Sequence, residues 1–178
     1  MRWARIILMG AIGVILSGAA SAADQIMTLG QVDRVNWLWL PNDPLDAEAG
    51  KRCAIRALAL SENPGQVLRR LGFPKVVDID DDPDFLLPTF TVYAAAEPVS
   101  GTPARCAISA YATLEMPAPG AEFGWPRVLL WQAPMVIATV AASDDPARPG
   151  LVVRATLQGM TEVMAQGFIG TWQTTRGQ

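Results

Sequence analysis

The sequence predicts an α+β fold: a two-layer sandwich whose mostly antiparallel sheet of about four strands, in the order β-α-β-β-β-α, is covered on one face by helices. Three observations predict it. Several stretches alternate their apolar residues at period two, as half-buried strands do. One C-terminal stretch repeats its apolar residues at helical spacing. The 178 residues, less an expected export signal of 22, leave 156, enough for one domain with its own core.

Arg2 and Arg5 precede an apolar stretch at 6–16, and small residues run to Ala20-Ser21-Ala22. That is the pattern of a secretory signal peptide, with cleavage expected after Ala22 and residues 23–178 forming a single α+β domain. The apolar stretch is too short for a helix that must span about 30 Å of hydrocarbon. A periplasmic or secreted protein with no membrane span is expected.

The first strand is predicted at 32–40, where Val35, Trp37 and Trp39 fall on one face. Asp43-Pro44 then offers an N-cap with proline at the first helical position, and Leu45, Ala49, Cys53 and Ala57 repeat every fourth residue. A helix over 44–60 is expected. The similarity of 52–57 (RCAIRA) to 105–110 (RCAISA) would make both strands if it marked a repeat, but six alanine-rich positions are weak support. Asn63-Pro64 repeats the cap signal, so a second short helix should carry Val67, Leu68 and Leu71 and stop at Gly72 and Pro74.

A short additional strand is possible at 75–79. Segments 88–96 and 105–116 read as hairpin partners, with Phe90, Val92 and Ala94 on one face of the first and Cys106, Ile108, Ala110 and Ala112 on one face of the second. The stretch 127–142 is long and apolar, and Pro134 predicts a bulge or an edge position within it. The closing helix follows Pro149-Gly150. Val153, Leu157, Met160, Met164, Phe168 and Trp172 share one face, with Arg154, Thr161 and Glu162 expected on the solvated side.

Composition excludes much chemistry. Histidine is absent, which removes imidazole bases, His-based triads and His-ligated zinc. No G-x-S-x-G or S-x-x-K motif supplies a serine nucleophile. Loss of Arg2 and Arg5 with the signal takes the formal charge from −3 to −5, a poor match for nucleic acid or anionic lipid. Two cysteines in an exported chain predict one disulfide, Cys53 to Cys106, which should stabilise the fold by about 4 kcal/mol in the chain-entropy model.

Four candidate sites remain. In the acidic run that ends at Asp84, Asp78, Asp80 and Asp82 place aspartates where a calcium loop has its first, third and fifth ligands, but Pro83 occupies the turn position that needs glycine and Thr89 the position that needs glutamate. A solvated acidic loop is the preferred reading. Carboxylate pairs for hydrolysis could be Glu115 with Glu122, or Asp144 with Asp145, although solvated charges explain them as well. Met116, Met135, Met160 and Met164 raise copper(I), yet core packing accounts for the helical pair. Trp125, in Phe123-Gly124-Trp125-Pro126, could form a partner-binding lip. An exported, non-enzymatic module that binds a protein or an envelope component, without a cofactor, is therefore expected. The alternatives are a carboxylate-based cell-wall hydrolase and a weak divalent-cation binder.

Overall fold

In the computed structural model, which describes residues 27–42, 53, 55, 60–78, 87–100, 105–118, 126–142 and 150–177, the first predicted strand forms as β1 (Arg34–Asn42). A short 3-10 turn, Leu29–Gln31, precedes it. The second predicted helix forms as α1 (Pro64–Arg70) for the reasons its sequence offers. The Asn63 side chain accepts from the Gln66 backbone N–H at 2.8 Å, and the Gln66 side chain accepts from the Asn63 N–H at the same distance. Gly72, at φ 88°, provides the left-handed residue just past the helix end.

Four of the remaining strands continue in order as β2 (Lys75–Val77), β3 (Thr89–Val99), β4 (Arg105–Pro117) and β5 (Arg127–Gln132). They are followed by β6 (Val136–Ala141) and α2 (Leu151–Arg176). The sheet is larger and more mixed than the sequence suggests. It has six strands, in the order β2-β1-β3-β4-β5, with β6 also paired to β4. β1 runs parallel to both β2 and β3, whereas β3, β5 and β6 are antiparallel to their neighbour β4. One of the additional strands has a local cause. Pro134, which has no backbone N–H to give to a ladder, falls between β5 and β6 and divides 127–142 into two strands. Both pair along the same side of β4, β5 against its C-terminal half and β6 against its N-terminal half.

The hairpin itself is long, running from Thr89↔Glu115 to Val99↔Arg105. Its even-numbered face, with Phe90, Val92, Ala94, Cys106, Ile108, Ala110, Ala112 and Leu114, is buried. Both helices pack on that face. Phe168 of α2 lies 5.4 Å from Phe90 and 5.5 Å from Trp131, ring to ring, while Gly65 of α1 abuts the Trp37 ring.

All six predicted core residues of α2 are buried. Thr161 is a correction: expected on the solvated side, it is buried, and its hydroxyl donates to the Leu157 carbonyl at 2.9 Å. That back-bond satisfies the hydroxyl inside the helix, so burial carries no unpaired polar group. Most of the expected helix at 44–60 lies outside the described residues. Within it Cys53 sits in a turn, and Ile55 and Leu60 lie outside regular structure, with Cys53 and Ile55 buried. Cys53 is bonded to Cys106 of β4, which anchors this connection to the sheet. No helix among the described residues is long and apolar enough to cross a membrane.

Candidate functional site

The alternation that buries one face of the sheet delivers a second set of side chains to the other. By register, Leu38, Leu40 and Asn42 of β1 stand beside Thr91, Tyr93 and Ala95 of β3, which stand beside Thr113, Tyr111 and Ser109 of β4. Ile137 of β6 is the next neighbour of Ser109. Tyr93 and Tyr111 are directly opposite and stack, with ring centroids 4.6 Å apart and planes 11° from parallel. Around them Leu40 is exposed, Met135 is 60% exposed and Ile137 is 68% exposed. Leu40, Asn42, Tyr93, Ala95, Ser109 and Met135 line a shallow hollow of about 230 Å³ there.

Arg127 braces the far end of this face. Its Nη2 donates to the Thr89 hydroxyl at 2.9 Å, the Glu115 carbonyl at 2.9 Å and the Leu87 carbonyl at 3.3 Å. Its Nε lies 3.8 Å from the Glu115 carboxylate. One guanidinium thus ties the start of β3, the end of β4 and the start of β5. Burial draws the Arg127 pKa down, with the Glu115 charge acting in the opposite sense. Burial likewise raises the Tyr93 pKa, and the negative charge of Glu115 adds to the effect. Tyr93 is therefore neutral at neutral pH.

The predicted site residues are placed as follows. Cys53 and Cys106 form the disulfide. Asp78 does not face an open loop: it accepts from the Trp37 indole N–H and from Arg69 Nη2, the latter at 3.0 Å. The Trp37 hydrogen bond does most to hold its carboxyl below the usual range, and Arg69 adds to this, while burial acts in the opposite sense. Asp80, Asp82 and Asp84 lie outside the described residues, as do Trp125, Glu122, Asp144 and Asp145. Glu115 is paired with Arg127. Met160 and Met164 are buried among Leu157, Phe168 and Trp172, as core filler. Among the described residues, no group of three or more Asp, Glu or Cys is placed to hold a metal ion.

Reading the sequence by single strands passes over the Tyr93–Tyr111 pair, although a signal is present. The odd-numbered positions of β3 and β4 are mostly small or polar, with Thr91 and Ala95 flanking Tyr93 and Ser109 and Thr113 flanking Tyr111, so the single aromatic in the middle of each set stands out.

No protein-family model matches the sequence, and no curated protein matches it as a relative. Among solved structures the chain is similar to the rare lipoprotein B from Shewanella oneidensis, at 12% identity and a TM-score of 0.39, over 79% of this chain and 95% of that one. So distant a likeness assigns no site, and function is argued from the residues themselves.

Proposed function

We propose that the protein is an exported, non-enzymatic module of the bacterial envelope that binds a protein or another envelope component through the Tyr93–Tyr111 face of its sheet. The observation that carries this reading is a contiguous apolar and aromatic surface on the face opposite the helices. Leu40, Tyr93, Tyr111, Met135 and Ile137 come from four strands and one connection and lie together. Isolated exposed apolar residues are ordinary, but a contiguous group rimmed by polar residues such as Asn42 and Ser109 is the usual mark of a recognition surface. Stacked tyrosines add large contact area at small entropic cost, because each has few rotatable bonds.

The test is photo-crosslinking in the native envelope. A photoreactive residue replacing Ser109 should give a discrete adduct, identifiable by mass spectrometry as protein, lipid or glycan. Tyr111→Ser and Leu40→Asp should abolish that adduct while leaving the melting temperature near that of the parent. Variants that fold normally and retain the adduct would refute the platform, whatever the partner.

A further inference from the structure

We propose that β6 is the contact edge of a symmetric dimer, in which it pairs antiparallel with β6 of a second copy while the two α2 helices run side by side across the same two-fold axis. The inference is independent of what occupies the tyrosine platform.

An unpaired strand edge offers a row of backbone donors and acceptors to any passing strand, and proteins ordinarily blunt such edges. The other edges here are blunted. β2 is three residues long and carries exposed Lys75. β5 begins at Arg127 and bears a register irregularity opposite Leu114 and Glu115. β6 has none of these devices. Its six residues, Val136–Ala141, include no charge, proline or glycine, and Ile137, Thr139 and Ala141 are exposed. Among the described residues β4 alone pairs with it.

Three features make a second copy the fitting occupant. The first is charge. With the axis perpendicular to the sheet, each copy keeps its faces, so centring the pairing on Ala138 sets Ile137 opposite Thr139 and Val136 opposite Val140. A strand without charged residues opposes no like charges in this or any neighbouring register.

The second feature is spacing. α2 lies over β4 and β6. With strands about 4.8 Å apart, the line midway between β4 and β6 is about 5 Å from the axis, which brings the two helices about 10 Å apart. That is at the upper end of the range of about 8–10 Å in which helices pack with their side chains interdigitated.

The third feature is the helix flank. Gln158 and Glu162 face α1, where Gln158 accepts from the Glu62 N–H at 3.1 Å and Glu162 accepts from Arg70 at 3.1 Å. The flank turned away from α1 carries Val152, Thr156, Gly159 and Val163, and Val163 is 59% exposed. A Cβ added at Gly159 would meet nothing within 4 Å, so packing within one copy does not require the glycine. A helix-interior glycine is unfavourable relative to alanine. Close approach of a second helix gives it a use.

Five paired residues of β6 from each copy and one helix flank make an interface near the lower end of the standard range, about 1,200 Å² in total, so dissociation in the micromolar range is expected. Sedimentation equilibrium of the mature, oxidised protein across the micromolar range should show a monomer–dimer equilibrium. Thr139→Lys, on the strand edge, and Val163→Lys, on the helix flank, should each weaken dimerisation by about tenfold or more through like charges brought together at the axis. Both positions are exposed, and an unchanged melting temperature for dilute protein confirms the fold. Leu40→Asp, on the platform, should leave the dimer intact. A wild type that stays monomeric at the highest concentration overturns the proposal. So does a dimer that both lysine variants retain, and one that resists Val163→Lys alone overturns the helix contact.

Discussion

Gly65 tests how closely the helical layer is fitted to the sheet. It is the second residue of α1 and is buried against the indole of Trp37. A Cβ placed there would lie 2.5 Å from Nε1 and 2.9 Å from Cγ, and closer still to Cδ1. Two effects of Gly65→Ala compete. Better helix propensity and a less flexible unfolded chain favour alanine, by about 0.5–1 kcal/mol. Against this, ring atoms cannot rotate out of the way as a flexible side-chain end could, and overpacking of this kind costs about 1–3 kcal/mol. If Trp37 withdraws, it also strains its hydrogen bond to Asp78, a bond to a charged acceptor worth about 1.5–3 kcal/mol. The clash should win, with a net loss of about 2 kcal/mol, or about 4–8 °C in melting temperature for a domain of this size. Thermal and urea unfolding followed by circular dichroism measure it. In a Trp37→Leu background the obstruction is gone, so the same substitution should become neutral or slightly stabilising, and the double-mutant cycle should show strong coupling. Equal or greater stability of Gly65→Ala with Trp37 present would refute this account of the α1–β1 contact.

Cys106→Ser should lower stability by about 2–5 kcal/mol, and mass spectrometry of the native protein without reductant should find no alkylatable thiol; two free thiols would contradict the bond. Because the folded-state pKa of Asp78 is depressed, its contribution is fully present above the unfolded value near pH 4 and is lost as pH falls through the folded value. Asp78→Asn should therefore cost about 1 kcal/mol at neutral pH, allowing for solvent screening, and little in strong acid; an equal loss across the acid limb would show that charge is not the cause. Asp80→Asn with Asp82→Asn should leave the melting temperature unchanged with or without millimolar calcium, since Asp78 is already engaged by Trp37 and Arg69; a calcium-dependent rise in the parent that the variant lacks would establish a cation site.

The sequence is legible where a physical rule acts over a few residues. The Asn63 cap, the Gly72 stop, the hairpin faces and the apolar stripe of α2 all depend on neighbours within one turn or one strand pair. An expected export signal and an even cysteine count point to the Cys53–Cys106 link because no competing thiol exists. What the sequence does not disclose is long-range. That β1 runs parallel to β3 depends on where the chain returns after residue 78. Pro134 marks an interruption, but not that both halves of 127–142 lie along β4. Thr161 is misplaced by its polarity alone, since a hydroxyl that donates to Leu157 within the helix can be buried. The tyrosine platform is hidden for the same long-range reason: Tyr93 and Tyr111 are 18 positions apart, and only the hairpin register makes them partners.

The braces around that platform bear on how it could bind. Association costs free energy whenever side chains or loops must be ordered on contact, so affinity improves when the surface is already fixed. Tyr93 and Tyr111 are central in their strands, with β1 on one side of β3 and β6 beginning beside Ala110 on the far side of β4. At one end Arg127 clasps three strands through two carbonyls and a hydroxyl, and at the other Cys106 fixes β4 to the connection that carries Cys53. On the opposite face, toward the Arg127 end, Phe90, Trp131 and Phe168 pack within 6.1 Å of one another, centroid to centroid. The stacked rings thus rest on backbone that is bonded on both sides and restrained at both ends, so a partner meets a surface whose conformational entropy was already surrendered on folding.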